Sequence, residues 1–287
     1  MTSTQFRPDP RLFPFESRWF KSPVGKIHYL DEGQGPPILF LHGNPTWSFL
    51  YRGIIIRLRK GFRCIAPDYP GFGLSEHPAS YRYTPEEHAG TVQALVTELD
   101  LQDLTIMGHD WGGPIGMRVA LDQADRIRSL IMGNTWYWPM DAAHLRAAGW
   151  LLSTGYVQGL IHQKNLFVER VLPLGVKHPL AGEVLEHYRG PFSTVESRAG
   201  VAELARQLGR SANWLDAIER EVPTRLGHLP LLLIWGMDDL AFTPPFMDPF
   251  NRDFRAVRVV RLDAKHLIQE DAPGEVSRAI QEFLGKG

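Results

Sequence analysis

Short apolar runs, set apart by stretches with a helical period, organise the first half of the chain. Lys26 to Leu30, Ile38 to Leu41, Phe62 to Ala66, Leu104 to Gly108 and Ile127 to Met132 are rich in β-branched or aromatic residues and predict strands. The last three are apolar at nearly every position, as strands covered on both faces should be. Helix signals lie between them. Thr84 followed by Pro85, Glu86 and Glu87 is an N-cap with proline at the first helical position, opening a periodic stretch to Leu99. Strands alternating with helices predict an α/β fold whose mostly parallel sheet has helices on both faces. The alternation resumes at Leu231 to Trp235 and Val257 to Leu262, and a last helix is expected from about Pro273 to Leu284.

From Asn134 to about Arg225 the strand signals stop, and amphipathic helical pieces rich in aromatics replace them. The expected organisation is a core from residues 1–134 and 226–287, with a helical cap at 135–225 inserted after the sixth strand. Such a cap sits over the carboxyl ends of the strands, where open α/β sheets bind ligands. Most of its aromatics should form its own core. Trp136, Trp138 and Trp150 are expected to face a substrate pocket beneath it.

With 287 residues, the chain is long enough to bury a core without staples. Lys plus Arg is 31 and Asp plus Glu is 32, a net charge of −1 that gives no reason to expect a nucleic acid or a membrane as partner. Cys64 is the one cysteine, so no internal disulfide framework or multi-cysteine zinc site is expected. The N-terminal stretch lacks an apolar targeting core and no apolar run approaches a membrane span, so a cytoplasmic protein is expected.

The chemistry concentrates in four segments. In residues 104–120 an apolar strand runs into Gly108-His109-Asp110-Trp111-Gly112, and a helix with small residues at Gly113 and Gly116 follows. This is the strand–turn–helix setting of a nucleophile elbow, with Asp110 where serine is usual. A carboxylate there can form an ester with its substrate. Otherwise the motif is a tight turn with an Asx-type bond. In residues 36–52 a strand ends at Leu41 and His42-Gly43-Asn44-Pro45 turns back, a loop that can supply an oxyanion-hole N–H. Asn44 adds two amide donors. Asp238 and Asp239 directly follow the Leu231 strand, and His266 follows the Val257 strand. The order Asp110, Asp239, His266 is the nucleophile–acid–base order of the α/β-hydrolase fold.

With these residues in view, the chain resembles the haloalkane dehalogenases of the α/β-hydrolase superfamily over nearly its whole length. The likeness rests on His42-Gly43-Asn44-Pro45-Thr46, Asp68-Tyr69-Pro70-Gly71-Phe72-Gly73-Leu74-Ser75 and Gly108-His109-Asp110-Trp111-Gly112-Gly113. One subgroup carries a glutamate just after the sixth strand. Here that place reads Gly133-Asn134-Thr135-Trp136, so the acid falls to Asp239. The set is similar to the subgroup with an Asp-His-Asp triad and Asn-Trp halide donors. The resemblance implies Asp110 as nucleophile, Asp239 and His266 as its acid–base pair, and Asn44 and Trp111 as donors to halide and oxyanion. It further implies a small halogenated substrate, halide and water as the molecules handled, no cofactor or metal, and a tendency to self-associate. An epoxide hydrolase shares the Asp nucleophile but needs acidic donors to the epoxide oxygen, for which Tyr137, Tyr156 and Tyr188 are available.

Overall fold

The computed structural model describes residues 6–285. One eight-stranded sheet runs through it, with strands β1 (Arg18–Ser22), β2 (Gly25–Glu32), β3 (Pro37–Leu41), β4 (Arg63–Pro67), β5 (Leu104–Asp110), β6 (Ile127–Thr135), β7 (Pro230–Gly236) and β8 (Ala256–Leu262). Their order across the sheet is β1-β2-β4-β3-β5-β6-β7-β8. β2 pairs antiparallel with β1 and β4, and every later pairing is parallel. The central strands β3, β5 and β6 are buried almost throughout, which is why they read as continuous apolar runs. β1 escaped the sequence reading because Arg18-Trp19-Phe20-Lys21-Ser22 is a largely solvated edge strand with no apolar run.

Helices α1 (Arg52–Leu58), α2 (Pro85–Glu98) and α3 (Gly112–Asp122) fill the connections up to β6. Thr84 caps α2 as expected, its hydroxyl accepting the Glu87 N–H at 3.4 Å. Between β6 and β7 the described chain is helical, with α4 (Ala143–Ser153), α5 (Gly155–Lys164), α6 (Gly182–Arg189), α7 (Ala199–Gln207), α8 (Ala212–Arg225) and single-turn pieces between them. After β7 come α9 (Asp248–Asp253), α10 (Ile268–Asp271) and α11 (Pro273–Phe283). No helix among the described residues is long and apolar enough to cross a membrane.

β3 sits between β4 and β5, so the chain reverses its direction of travel across the sheet there. Crevices at such switch points are where doubly wound sheets place their ligands. The last residues of β5 and β6 bring Asp110 and Asn134 to this end of the sheet, and the loops after β3, β7 and β8 bring Asn44, Asp239 and His266.

Candidate active site

The turn after β5 is tight enough to force Asp110 to φ +52°, a left-handed conformation that a non-glycine residue holds only when its surroundings impose it. Gly43 in the neighbouring loop has no room for a side chain, since a Cβ there would overlap the Asp110 carboxylate. That close approach brings the Asn44 N–H to Asp110 Oδ1 at 2.8 Å, and the Trp111 N–H also bonds the carboxylate. Burial pushes the Asp110 pKa up, opposed by His266 and by these two N–H groups, and the net shift is upward.

His266 lies between two carboxylates. Its Nδ1 donates to Asp239 Oδ2 at 2.8 Å, and its Nε2 is 3.7 Å from Asp110 Oδ2. Burial lowers the imidazole pKa, but the Asp239 hydrogen bond and the charges of Asp239 and Asp110 outweigh it, leaving the pKa raised. Asp239 is saturated with donors. Oδ2 also accepts from Asn134 Nδ2 at 2.8 Å, and Oδ1 accepts the N–H groups of Ala241 and Phe242 at 2.8 and 3.2 Å. Its burial raises the carboxyl pKa, yet His266 and these N–H groups bring it down to about 2. Asp238 points elsewhere, forming a half-exposed ion pair with Lys177 at 2.9 Å.

Two supporting residues were missed in the sequence. Asn134, at φ +39° and fully buried, donates to Asp239 and to the Gly236 carbonyl and accepts the Gly236 N–H, tying the end of β6 to the loop after β7 that carries Asp239. His109, which precedes Asp110, donates from Nε2 to the His266 carbonyl at 2.8 Å, with the two rings 4.6 Å apart. Burial and the adjacent His266 hold its pKa at about 3, so it stays a neutral donor. Neither could be found from periodicity, because a buried amide and a buried imidazole look like ordinary polar loop residues.

A cavity of about 590 Å³ opens on Asp110 and His266. Its walls are mostly aliphatic, including Leu145, Leu152, Leu166, Leu172 and Leu208, with Phe167, Phe242 and Phe246. Asn44 lines it beside Asp110, and its Nδ2 donates one hydrogen to the Val201 carbonyl of α7 at 3.0 Å. The second amide hydrogen is left for a ligand. Trp111, expected as the second donor, is 1 % exposed and its side chain is not part of the cavity wall.

The three tryptophans expected at the pocket do not line it. Trp136 is buried one layer back, edge-on to Trp111 and stacked on Phe242, which in turn stacks on His266. Trp138 packs against Tyr137, Phe246 and Phe250, and Trp150 is 71 % exposed. The cap tyrosines are equally remote. Tyr137 donates to Asp253, Tyr188 to Glu270, and Tyr156 faces solvent. An epoxide oxygen in this cavity would therefore find none of these tyrosines, and that rival reading loses its acids.

Comparison with known proteins agrees with this geometry. Residues 36–155 match the family model for the alpha/beta hydrolase fold. Haloalkane dehalogenase 2 of Mycobacterium bovis, like that of Mycobacterium tuberculosis, is 50% identical over 285 residues, covering 99% of this chain and 100% of the relative. The chain belongs to the haloalkane dehalogenase family. It is thus a hydrolase of the alpha/beta hydrolase fold that acts as a haloalkane dehalogenase. The crystal structure of the haloalkane dehalogenase DbeA from Bradyrhizobium elkani matches with a TM-score of 0.87 and 27% identity, over 95% of this chain and 98% of that one. A cis-3-alkyl-4-alkyloxetan-2-one decarboxylase of Shewanella oneidensis is 32% identical, over 95% of this chain and 89% of that protein.

Proposed function

We propose that this dehalogenase works through a covalent alkyl ester on Asp110, with His266 and Asp239 as base and acid. The observation that carries the reading is the line Asp239–His266–Asp110 at the floor of an apolar cavity, with two backbone N–H groups on the nucleophile. The Asn44 N–H holds Oδ1, leaving Oδ2, the oxygen nearer His266, to attack the carbon that bears the halogen. The carbon–halogen bond breaks and the halide departs with its electron pair, which in an apolar pocket needs donors to meet it. The free amide hydrogen of Asn44, which lines the cavity, is assigned that task. His266 Nε2 then takes a proton from water, whose oxygen attacks the ester carbonyl. The oxyanion gathers on Oδ1, the oxygen already facing the Asn44 N–H. Its collapse releases the alcohol and, overall, one halide and one proton.

A cavity of about 590 Å³ walled by aliphatic and aromatic side chains is large for a two- or three-carbon substrate. We assign longer unbranched haloalkanes as preferred substrates. The similarity to decarboxylases of alkyl-substituted oxetanones fits a pocket that holds alkyl chains.

The Asn44→Ala variant keeps the backbone N–H and removes only the amide. Loss of one preorganised donor to developing charge typically slows the chemical step by about 10²–10³. Bromide release from 1-bromohexane should fall by that range, with the melting temperature close to wild type. A variant that melts early but turns over normally when folded would make Asn44 a turn residue only.

The two half-reactions should also separate with pH. Ester hydrolysis needs neutral His266, so its rate should fall as pH drops through the imidazole pKa. Esterification erases the Asp110 charge, one of the influences that raise this pKa, so the drop in hydrolysis should lie below the free enzyme's own His266 titration. Alkylation needs only ionised Asp110 and should persist to lower pH. Rapid-quench measurement of ester and bromide at each pH tests this, and a hydrolysis rate flat into acid would remove His266 as the base.

A further inference from the structure

The short stretch that carries His266, residues 263–267 between β8 and α10, is neither helix nor strand. The peptide groups on both sides of His266 are nevertheless tied down. The Leu267 N–H donates to the Gly175 carbonyl at 2.8 Å. The Lys265 N–H donates to Asp271 Oδ2 at 2.9 Å, and Asp271 Oδ1 accepts the Lys177 N–H at 2.9 Å. One carboxylate thus joins the residue before His266 to the helical stretch between β6 and β7, to which Gly175 and Lys177 belong. That stretch rests on His266 directly, since a Cβ on Gly175 would lie 3.5 Å from the Cβ of His266. Asp271 has a firm footing of its own. It ends α10, where the preceding Glu270 accepts two guanidinium N–H groups of Arg52 in α1, at 2.5 and 2.8 Å, and the Tyr188 hydroxyl of α6. The Lys177 ammonium also pairs with Asp238 and Asp263, but both acids are half or more exposed and such pairs hold little.

We propose that Asp271 is a positioning residue for the hydrolytic half of the reaction: by tying Lys265 to Lys177 it sets His266 where Nε2 activates water against the ester on Asp110. Its value to the rate rests on His266 acting as the base; its hold on the His266 loop does not. Misplacing a reacting group by about 1 Å costs on the order of 10² in rate. His266 follows a strand paired on one side only and sits in irregular chain, so its place depends on such ties. The alkylation step draws on other contacts. Asp110 is oriented by the N–H groups of Asn44 and Trp111, neither of which touches Asp271. Loosening Asp271 therefore slows the two half-reactions unequally, whereas a residue that merely supported the fold would slow both alike.

The test is Asp271→Asn, which keeps the shape of the side chain but offers one oxygen to two N–H donors. Rapid quenching with 1-bromobutane follows ester formation and ester decay separately, each referred to the folded fraction from a melting curve. Decay should slow by about 10–10², with formation within about twofold of wild type. Asp271→Ala, which loses both ties, should widen that split. A second readout needs no substrate. NMR titration of the His266 ring should move back towards the ordinary histidine value, as the imidazole draws away from Asp239 and Asp110, the two carboxylates that raise it, with neutral His109 adding no charge. A His266 titration in Asp271→Asn that matches wild type overturns the proposal, as do formation and decay slowed by one common factor. A titration that moves, in a protein whose wild type forms no ester on Asp110, keeps Asp271 as the residue that positions His266 and overturns instead the reading of His266 as base.

Discussion

Given 1-bromobutane, a His266→Phe variant should release one equivalent of bromide per chain and then stop, with a butyl group on the peptide that carries Asp110. The carboxylate keeps its Asn44 and Trp111 N–H partners in this variant, so the attacking oxygen remains oriented. Burial already makes Asp110 a poorly solvated carboxylate, and removing the imidazole takes away the neighbour that most favours its charged form. Alkylation should therefore slow modestly and need a higher pH, while hydrolysis, deprived of its base, should become too slow to support turnover. Phenylalanine fills the space of the imidazole beside Phe242 and His109, which limits collapse of the site. Intact-protein mass and peptide mapping read the result. An unmodified Asp110 peptide with continuing bromide release would overturn both the ester and the role of His266.

Asp239→Asn should cut turnover by on the order of 10⁴, while Asp238→Asn leaves it near wild type. Asp239 accepts four hydrogen bonds, from His266, Asn134 and two backbone N–H groups. An amide accepts through only one of its two atoms. If its oxygen keeps Ala241 and Phe242, its NH₂ faces both His266 Nδ1 and Asn134 Nδ2. The imidazole must then take the other tautomer, with its proton on Nε2, where it cannot accept one from water. Asn134 is left with donor against donor in a buried site, an added cost to stability of about 1–3 kcal/mol. Asp238→Asn breaks only the half-exposed pair with Lys177, worth about 0–1 kcal/mol. Steady-state rates with melting curves for the two variants decide between them, and the reverse ranking would relocate the acid.

What could be read from the chain depended on how much of a pattern each feature imposed. Strands such as β5 and β6, covered on both faces, must be apolar throughout and were legible to within a few residues. β1 pairs on one side only and is mostly solvated, so its five residues look like loop. Asp110, Asp239 and His266 stood out because each follows a strand, in an order that few folds require. Asn134 and His109 act by hydrogen bonds to backbone and side chains more than a hundred residues away, and nothing local announces that. The pocket tryptophans were misread for a related reason. An amphipathic helix reveals that it has an apolar side, but α4 packs Gly149 against Gly209 in the turn after α7, a contact that leaves Trp150 facing outward. Trp136 follows β6 into the core and supports Phe242 from behind.

His266 sits at the sheet's margin. It follows β8, which pairs on one side only, with β7, and has several exposed residues, whereas Asp110 ends β5 in the middle of the sheet. Margins of sheets open more often than their centres. On the proposed mechanism, fraying of β8 ahead of β5 would take His266 out of reach of an Asp110 that can still be alkylated. Haloalkane met in that interval would leave an ester that the protein does not hydrolyse, so that heat and substrate together would age the enzyme faster than either alone.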